Sequence, residues 1–201
     1  MIPFNLPNDW LLVTRTVLPV IYNPSDSVSG STSGLGDLSL TGWFVAPPSV
    51  TGLPPALTIG VGPTVQAPTH TDPALGFDKV GLGLSAVVVY TKDKWLFGGL
   101  ASNTWSLGDG GDQFNDLLFE SFVTYTLEND WYLISDITIT ADWNAPSSDR
   151  WTVPVDGGVS KTFNIGKQAV NASLQFYKNV SRPTDASDWT AQFSFQFLLP
   201  E

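Results

Sequence analysis

The chain has 201 residues and no cysteine, and 9 Lys+Arg against 19 Asp+Glu give it a formal net charge of −10. This length fits one domain, and the lack of cysteine excludes disulfides, thiolate metal sites and a cysteine nucleophile. The acidic balance and the absence of any basic cluster argue against nucleic acid as a partner. Charged residues make up only 14% of the chain, well below the quarter or so that is usual in soluble domains.

Apolar and polar side chains alternate along most of the chain, whereas 15 prolines and 18 glycines leave few stretches in which a helix could form. In the clearest case, Trp189, Phe193 and Phe195 alternate with polar residues such as Gln192 and Ser194. This period of two predicts β-strands with one apolar and one polar face. In chain order, about ten strands are predicted: 10–22, 35–46, 56–66, 80–91, 95–105, 114–127, 131–143, 150–164, 168–179 and 189–199.

The connections between these strands alternate between tight turns and longer polar loops. Tight turns are predicted at 7–9, 92–94, 128–130 and 165–167, with a somewhat longer joint at 47–55. The longer loops are 23–34, 68–79, 107–113, 144–149 and 180–188. Each predicted strand has about ten residues, the length that crosses a bilayer at a tilt of about 45°. The pattern predicts one domain over residues 1–201, an antiparallel up-and-down transmembrane β-barrel.

Seven of the eight tryptophans fall at predicted strand ends, in two bands. Three follow tight turns and four lie beside long loops: Trp10, Trp95 and Trp131, then Trp105, Trp143, Trp151 and Trp189. Indole rings favour the headgroup level of a bilayer, where the ring contacts hydrocarbon and the N–H contacts water. These seven residues are therefore predicted to form girdles at the two membrane interfaces.

The polar face of the predicted strands carries charged residues that would be costly to expose to hydrocarbon. They are predicted to line the lumen and set its selectivity: Arg15, Asp37, Asp116, Glu120 and Asp136. As the main cation aimed into the lumen at mid-strand, Arg15 is expected to pair with one or two of the acids. An acidic lumen favours cations and neutral solutes over anions. Glycines at 60, 62, 81 and 83 share this face, where they leave room or accommodate strong curvature.

Several segments, taken in order, carry a family resemblance: WLLVTRTVLPVIY, SGLGDLSLTGWFVAP, GVGPTVQAPTHTDPALG, KVGLGLSAVVVYT, RWTVPVDGGVSK and FQFLLPE. Over nearly the whole chain they resemble a bacterial outer-membrane family labelled MetA-pathway of phenol degradation or transporter-like protein. The resemblance implies a β-barrel in the bacterial outer membrane, associated with uptake of aromatic or other hydrophobic small molecules. Members usually begin with a signal peptide and further strand sequence. Residues 1–6 are accordingly expected to be the remnant of a preceding strand, as in a trimmed form of a twelve-stranded parent.

The expected function is passive passage of small solutes, hydrophobic or aromatic compounds among them, through a narrow acidic lumen. The expected partners are lipid or detergent and a small solute. No cofactor and no metal are expected. Enzymatic activity is not expected either, because His70 is the only histidine and no Gly-x-Ser-x-Gly motif occurs. His70 is expected to be a solvated loop residue. Two alternatives remain open: a non-transporting barrel filled by Arg15, Trp43, Phe122 and Tyr132, and a soluble β-barrel that binds an apolar ligand.

Overall fold

The computed structural model describes residues 1–23, 31–108, 113–183 and 188–198, and these are mostly β-structure. Parts of three predicted loops, at 24–30, 109–112 and 184–187, lie outside the described residues. The strands are β1 (Ile2–Asn5), β2 (Leu11–Val17), β3 (Val20–Asn23), β4 (Thr32–Leu35), β5 (Leu38–Val45), β6 (Leu57–Ala67), β7 (Gly81–Lys92), β8 (Trp95–Ser106), β9 (Asn115–Thr126), β10 (Trp131–Asp142), β11 (Trp151–Ile165), β12 (Gln168–Ser181) and β13 (Trp189–Leu198). One α-helical turn, α1, spans Pro48–Thr51, and two 3-10 turns span Pro7–Asp9 and Pro73–Leu75. No helix in the described ranges is long and apolar enough to cross a membrane.

Eleven of these strands form one antiparallel sheet in the order β1-β2-β5-β6-β7-β8-β9-β10-β11-β12-β13. The predicted all-β class and antiparallel order are confirmed, and β1 lies within residues 1–6. The predicted closure into a barrel is not observed, because no hydrogen-bonded ladder between described residues joins β13 to β1 or β2. With an odd number of strands in antiparallel succession, the two edge strands run in the same direction.

The first long hairpin is interrupted: the predicted strand 10–22 is divided into β2 and β3, and β4 lies almost entirely within residues 23–34, which were predicted as a loop. β3 pairs with β4 in a separate two-stranded sheet that continues the hairpin of β2 and β5. Pro19 has no N–H to donate, although its carbonyl accepts a 2.9 Å hydrogen bond from the Gly36 N–H. The ladder resumes at Val20 and Leu35, leaving Asp37 at the junction between β4 and β5.

The predicted tight turns are present and share a left-handed backbone. Positive φ angles occur at Asn8 and Asp9, at Asp93, at Asn129 and Asp130, and at Gly166. Asparagine, aspartate and glycine tolerate this conformation better than other residues. The turns lie on one rim of the sheet, called the turn rim below, and the longer connections lie on the opposite rim, called the loop rim.

The two faces of the sheet reverse the usual arrangement of a water-soluble protein. Along β7, Gly83 and Ser85 are buried, whereas Leu82 and Leu84 are 46% and 68% exposed. Large apolar side chains are exposed in the same way along the other long strands, and they include Phe44, Val61, Phe119, Leu133, Val159, Leu174, Phe176, Phe193 and Phe197. Buried polar side chains include Thr64, Ser85, Ser160, Ser173 and Gln175. The sheet thus has a protected polar face and an exposed apolar face.

Glycines on the polar face, predicted to leave room or to accommodate curvature, lie where the chain passes close to its neighbours. A Cβ atom added at Gly83 would lie 2.0 Å from the carbonyl oxygen of Asn103, and one at Gly62 would lie 1.8 Å from that of Gly42. Both obstacles are backbone atoms, which cannot turn aside as a side chain can. Only glycine therefore permits this close approach on the inside of a strongly curved sheet.

Candidate functional site

An ion pair between distant strands shows how strongly the polar face curves. The guanidinium of Arg15 in β2 binds the carboxylate of Glu120 in β9 through two hydrogen bonds of 2.9 Å each. Five strand-to-strand steps separate β2 from β9 in the sheet, which corresponds to about 24 Å along a flat sheet. The polar face must therefore bend around an interior space for these side chains to meet. The pairing predicted for Arg15 is confirmed, with Glu120 as its partner.

Two cavities lie within this bend and meet at Glu120. The loop-side cavity has a volume of about 510 Å³ and is lined by β2, β5–β10 and one residue of the loop after β6, Phe77. The turn-side cavity has a volume of about 620 Å³ and is lined by β9–β13. Glu120 lines both cavities. The Arg15–Glu120 pair consequently stands at the boundary between them.

The loop-side cavity combines apolar and polar walls. Trp43 is 1% exposed, and its indole N–H donates a 2.9 Å hydrogen bond to the Ser85 hydroxyl. Leu100 and Phe77 add apolar surface, while the remaining lining includes Ser39, Thr41, Thr64, Ser102, Thr104 and Thr140. The Trp43 indole, whose N–H is already hydrogen-bonded, can contact the apolar part of a small amphiphilic molecule. The surrounding hydroxyl groups can bind the polar groups of that molecule.

The turn-side cavity is lined mainly by hydroxyl and amide groups. Its lining includes Thr124, Tyr132, Thr138, Ser160, Thr162, Asn171, Ser173, Gln175, Tyr177, Gln192, Ser194 and Gln196. The Gln175 amide donates 3.1 Å hydrogen bonds to both Asp136 and Asp156 and so holds two carboxylates together. Such a surface offers many hydrogen-bond donors and acceptors and little apolar contact.

Carboxylates outnumber cations along the two cavities. Asp116, Glu120 and Asp142 line the loop-side cavity and Asp136 lines the turn-side cavity, against the single guanidinium of Arg15. Asp116 and Asp142 are direct cross-strand partners, a placement in which like charges repel. Four of the five predicted lumen residues, Arg15, Asp116, Glu120 and Asp136, therefore do line the interior.

Asp37, the fifth predicted lumen residue, instead binds the loop between β6 and β7. Its carboxylate accepts hydrogen bonds from the backbone N–H groups of Thr69, His70 and Phe77, at 3.2, 3.2 and 2.8 Å. The Gln66 amide donates another at 3.2 Å, and the His70 Nδ1 lies 2.7 Å from Asp37 Oδ1. Burial favours the neutral acid, but these hydrogen bonds outweigh it and hold the pKa of Asp37 below its ordinary value.

His70 is not the solvated loop residue that the sequence suggested. Its side chain is 9% exposed and lies between two carboxylates, with Nε2 at 3.2 Å from Asp78 Oδ1. The hydrogen bond to Asp37 is the main cause that raises the pKa of His70; burial opposes it, and the charges of Asp37 and Asp78 add to it. Adjacent residues gave no sign of this partner, because Asp37 is 33 positions away in the sequence.

The seven tryptophans predicted as girdles lie at strand ends on the two rims. Five of them are at least 36% exposed: Trp95, Trp105, Trp131, Trp143 and Trp189. On the turn rim, the Lys161 ammonium lies 4.9 Å from the centre of the Trp131 ring. On the loop rim, the Trp143 indole donates a 2.8 Å hydrogen bond to Asn103. The eighth, Trp43, lies in the interior instead.

No family model matches the chain, and no curated protein matches it in sequence. The family resemblance of the sequence motifs therefore stays a prediction. Within the described ranges, no group of three or more histidine or acidic side chains has an arrangement that could hold a metal ion.

Proposed function

We propose that the sheet closes into a transmembrane β-barrel of the bacterial outer membrane and that its polar interior allows small solutes to pass. The observation that carries this proposal is the reversal of the two faces, with polar residues such as Thr64 and Gln175 buried and apolar ones such as Phe176 and Phe193 exposed. In water this arrangement would expose a large apolar surface. In a bilayer it places the apolar face against lipid.

The spacing of the tryptophans supports a membrane of ordinary thickness. Trp95 and Trp105 lie at opposite ends of β8, ten residue steps or roughly 33 Å apart along the strand. A tilt of about 40° reduces this distance to a height of roughly 25 Å, the height of the apolar band in outer-membrane barrels. Closure of the barrel brings β13 to the strands at the opposite edge, so that backbone groups at these edges are not left unpaired in hydrocarbon.

The path through the interior is narrow. Sheets of about this number of strands enclose far less space than 16-stranded porins, and the Arg15–Glu120 pair stands between the two cavities. Four carboxylates and one guanidinium along the cavities favour cations and neutral molecules over anions. Small hydrophobic or aromatic molecules with a polar group fit the mixed lining around Trp43 in the loop-side cavity.

Gel mobility and bilayer conductance test this proposal. Detergent-refolded protein is run in SDS before and after boiling, and the unheated form is expected to migrate faster because a closed barrel resists SDS. The protein is then inserted in a planar bilayer, where we expect small conductance steps and a reversal potential that indicates cation selectivity. A protein that is monodisperse without detergent and shows no mobility shift would contradict the membrane proposal.

A non-transporting barrel is the second candidate, and the bidentate Arg15–Glu120 pair together with the buried Trp43 favours it. Replacing both charged residues, in an Arg15→Ala/Glu120→Ala variant, removes the boundary between the cavities without leaving one charge unpaired. If the interior conducts, this variant has a higher conductance than the wild type. A matched Lys178→Ala control loses an exposed rim pair with Asp188 instead and keeps wild-type conductance. Silence of both wild type and double variant would favour the filled barrel.

A further inference from the structure

The loop between β6 and β7 folds back against the first hairpin, beside the loop-side cavity. Residues 69–78 contribute Phe77 to the cavity lining, and the Phe77 ring lies 4.8 Å from the ring of Phe114. Leu75 is buried, and it lies beside Gly34 and Gly36 in the first hairpin. The segment thus borders the interior at the loop rim, with Phe77 at the cavity wall but 38% exposed and Leu75 packed against the first hairpin.

This segment is fastened mainly at one carboxylate. Asp37 Oδ1 accepts the Thr69 and His70 N–H groups and lies 2.7 Å from the His70 Nδ1, while Oδ2 accepts the Phe77 N–H. Further hydrogen bonds join Thr71 and Leu35: the Thr71 N–H donates to the Leu35 carbonyl, and the Leu35 N–H donates to the Thr71 hydroxyl, both at 3.0 Å. Loss of the Asp37 contacts would free the Phe77 end of the segment, whereas the Thr69 hydroxyl would still accept a 2.8 Å hydrogen bond from the Leu38 N–H and donate one of 3.2 Å to the Gly36 carbonyl.

We propose that residues 69–78 form a lid on the loop-side cavity, held most firmly by the contact between Asp37 and protonated His70 and loosened when His70 loses its proton. Among the described residues, the charged groups that face His70 are Asp37, at the junction of β4 and β5, and Asp78, in the lid itself. Protonated His70 binds both. Neutral His70 can still donate Nδ1–H to Asp37, but its Nε2 then presents a lone pair to the Asp78 carboxylate.

The direction of the pH dependence follows from the two pKa shifts. The pKa of His70 is raised from its ordinary value of 6.5, so the stabilising contact is complete below 6.5 and is lost as the pH rises through the raised value. The pKa of Asp37 is lowered from 3.8, so its contribution is present above 3.8 and is lost as the pH falls through the lowered value. The lid is therefore most firmly closed in mildly acidic solution and opens toward alkaline pH.

Access to the cavity can be measured with single cysteines, because the chain has none. Ser102→Cys places a thiol in the loop-side cavity, and the matched Ser194→Cys places one in the turn-side cavity. The readout is the ratio of their reaction rates with a charged thiol reagent at one pH, which cancels the effect of pH on the reagent. The same ratio measured in a His70→Gln background corrects for any difference between the pKa values of the two thiols. For detergent-refolded protein, we expect this ratio to rise about tenfold from pH 6 to pH 8.5, as a charge-assisted hydrogen bond becomes a neutral one.

Variants of the contact decide whether His70 is responsible. His70→Gln retains a side-chain donor without a titrating charge and is expected to give a ratio that does not change with pH. Gly76→Ala is a second variant: its Cβ would lie 2.5 Å from Asp37 Oδ1 and 2.6 Å from His70 Nδ1, so it separates the pair without altering charge. It is expected to give a high ratio at both pH values.

A wild-type ratio that stays constant with pH, or a His70→Gln variant that responds like the wild type, would overturn the lid proposal. Conductance tests the proposed passage of solutes separately. The lid proposal does not depend on that passage. A pH-dependent ratio in a protein that conducts no ions would therefore support the lid and contradict only the passage.

Discussion

Arginine substitutions at two heights of one strand test whether the apolar face contacts lipid. Val88 and Leu82 lie on this face of β7 and are similarly exposed, at 42% and 46%. On the neighbouring strand β8, Val88 pairs with Gly99, which is four residues from Trp95 at one end and six from Trp105 near the other. Leu82 pairs with Trp105 itself. At a rise of about 3.3 Å per residue and a tilt of about 40°, Val88 lies roughly 10 Å above the Trp95 level. Val88 is thus near the middle of the band, and Leu82 is at its edge.

The expected cost differs because an arginine at mid-height cannot reach water. Arg or Lys on the lipid face of a barrel costs about 2–4 kcal/mol at the midplane and about 0–1 kcal/mol near the interfaces. Val88→Arg is therefore expected to lower the free energy of unfolding by about 3 kcal/mol, a change of roughly a hundredfold in the folding equilibrium. Leu82→Arg is expected to change it by less than about 1 kcal/mol.

The assay is reversible denaturant unfolding of the protein in phospholipid vesicles, followed by tryptophan fluorescence. Surface substitutions in water usually change stability by no more than about 0.5 kcal/mol. Equal and small effects of the two substitutions would therefore refute the assignment of this face to lipid. A large effect at Val88 with a small one at Leu82 would support it and would also fix the height of the band.

Two interior positions give further predictions. Gly83→Ala is expected to destabilise the sheet by about 1–3 kcal/mol, because the new Cβ meets the Asn103 carbonyl oxygen. Gly157→Ala is the neutral control in the same unfolding assay, because its Cβ would have nothing within 4 Å. Trp43→Phe is expected to cost about 2 kcal/mol through a lost hydrogen bond to Ser85 and a new void. Unfolding midpoints equal to the wild type would contradict either estimate.

Most of the strands could be predicted because their information is local. The segment predicted at 80–91 is observed as Gly81–Lys92, and that predicted at 131–143 as Trp131–Asp142. Alternation assigns each side chain to a face without knowledge of its partner strand. The interruption of the first hairpin at Pro19 also has a local signal, since proline interrupts a strand ladder. It was not predicted because the alternation on both sides of Pro19 is regular.

The contacts within the site were predicted less completely. The composition and the alternation of polar residues indicated that Arg15 would pair with a carboxylate on the same face. The choice of Glu120 over Asp116 or Asp136 depends on the curvature and stagger of the whole sheet. The partnership of His70 with Asp37 was missed, because a histidine in a polar loop carries no local sign of burial. A clue was the high density of threonine, proline and glycine around His70, which is compatible with a compact folded loop.

The sequence by itself determined the β-class, the succession of strands, the positions of the tight turns and the division into an apolar and a polar face. These properties depend on neighbours two residues apart and on residues that permit unusual backbone angles. Only the tertiary structure decided the Arg15–Glu120 pair, the two cavities, the contacts of Asp37 with the loop after β6 and the two separate edges of the sheet. Each of these joins segments far apart in the chain, and their distance is set by the accumulated bend of many strands, which no local pattern encodes.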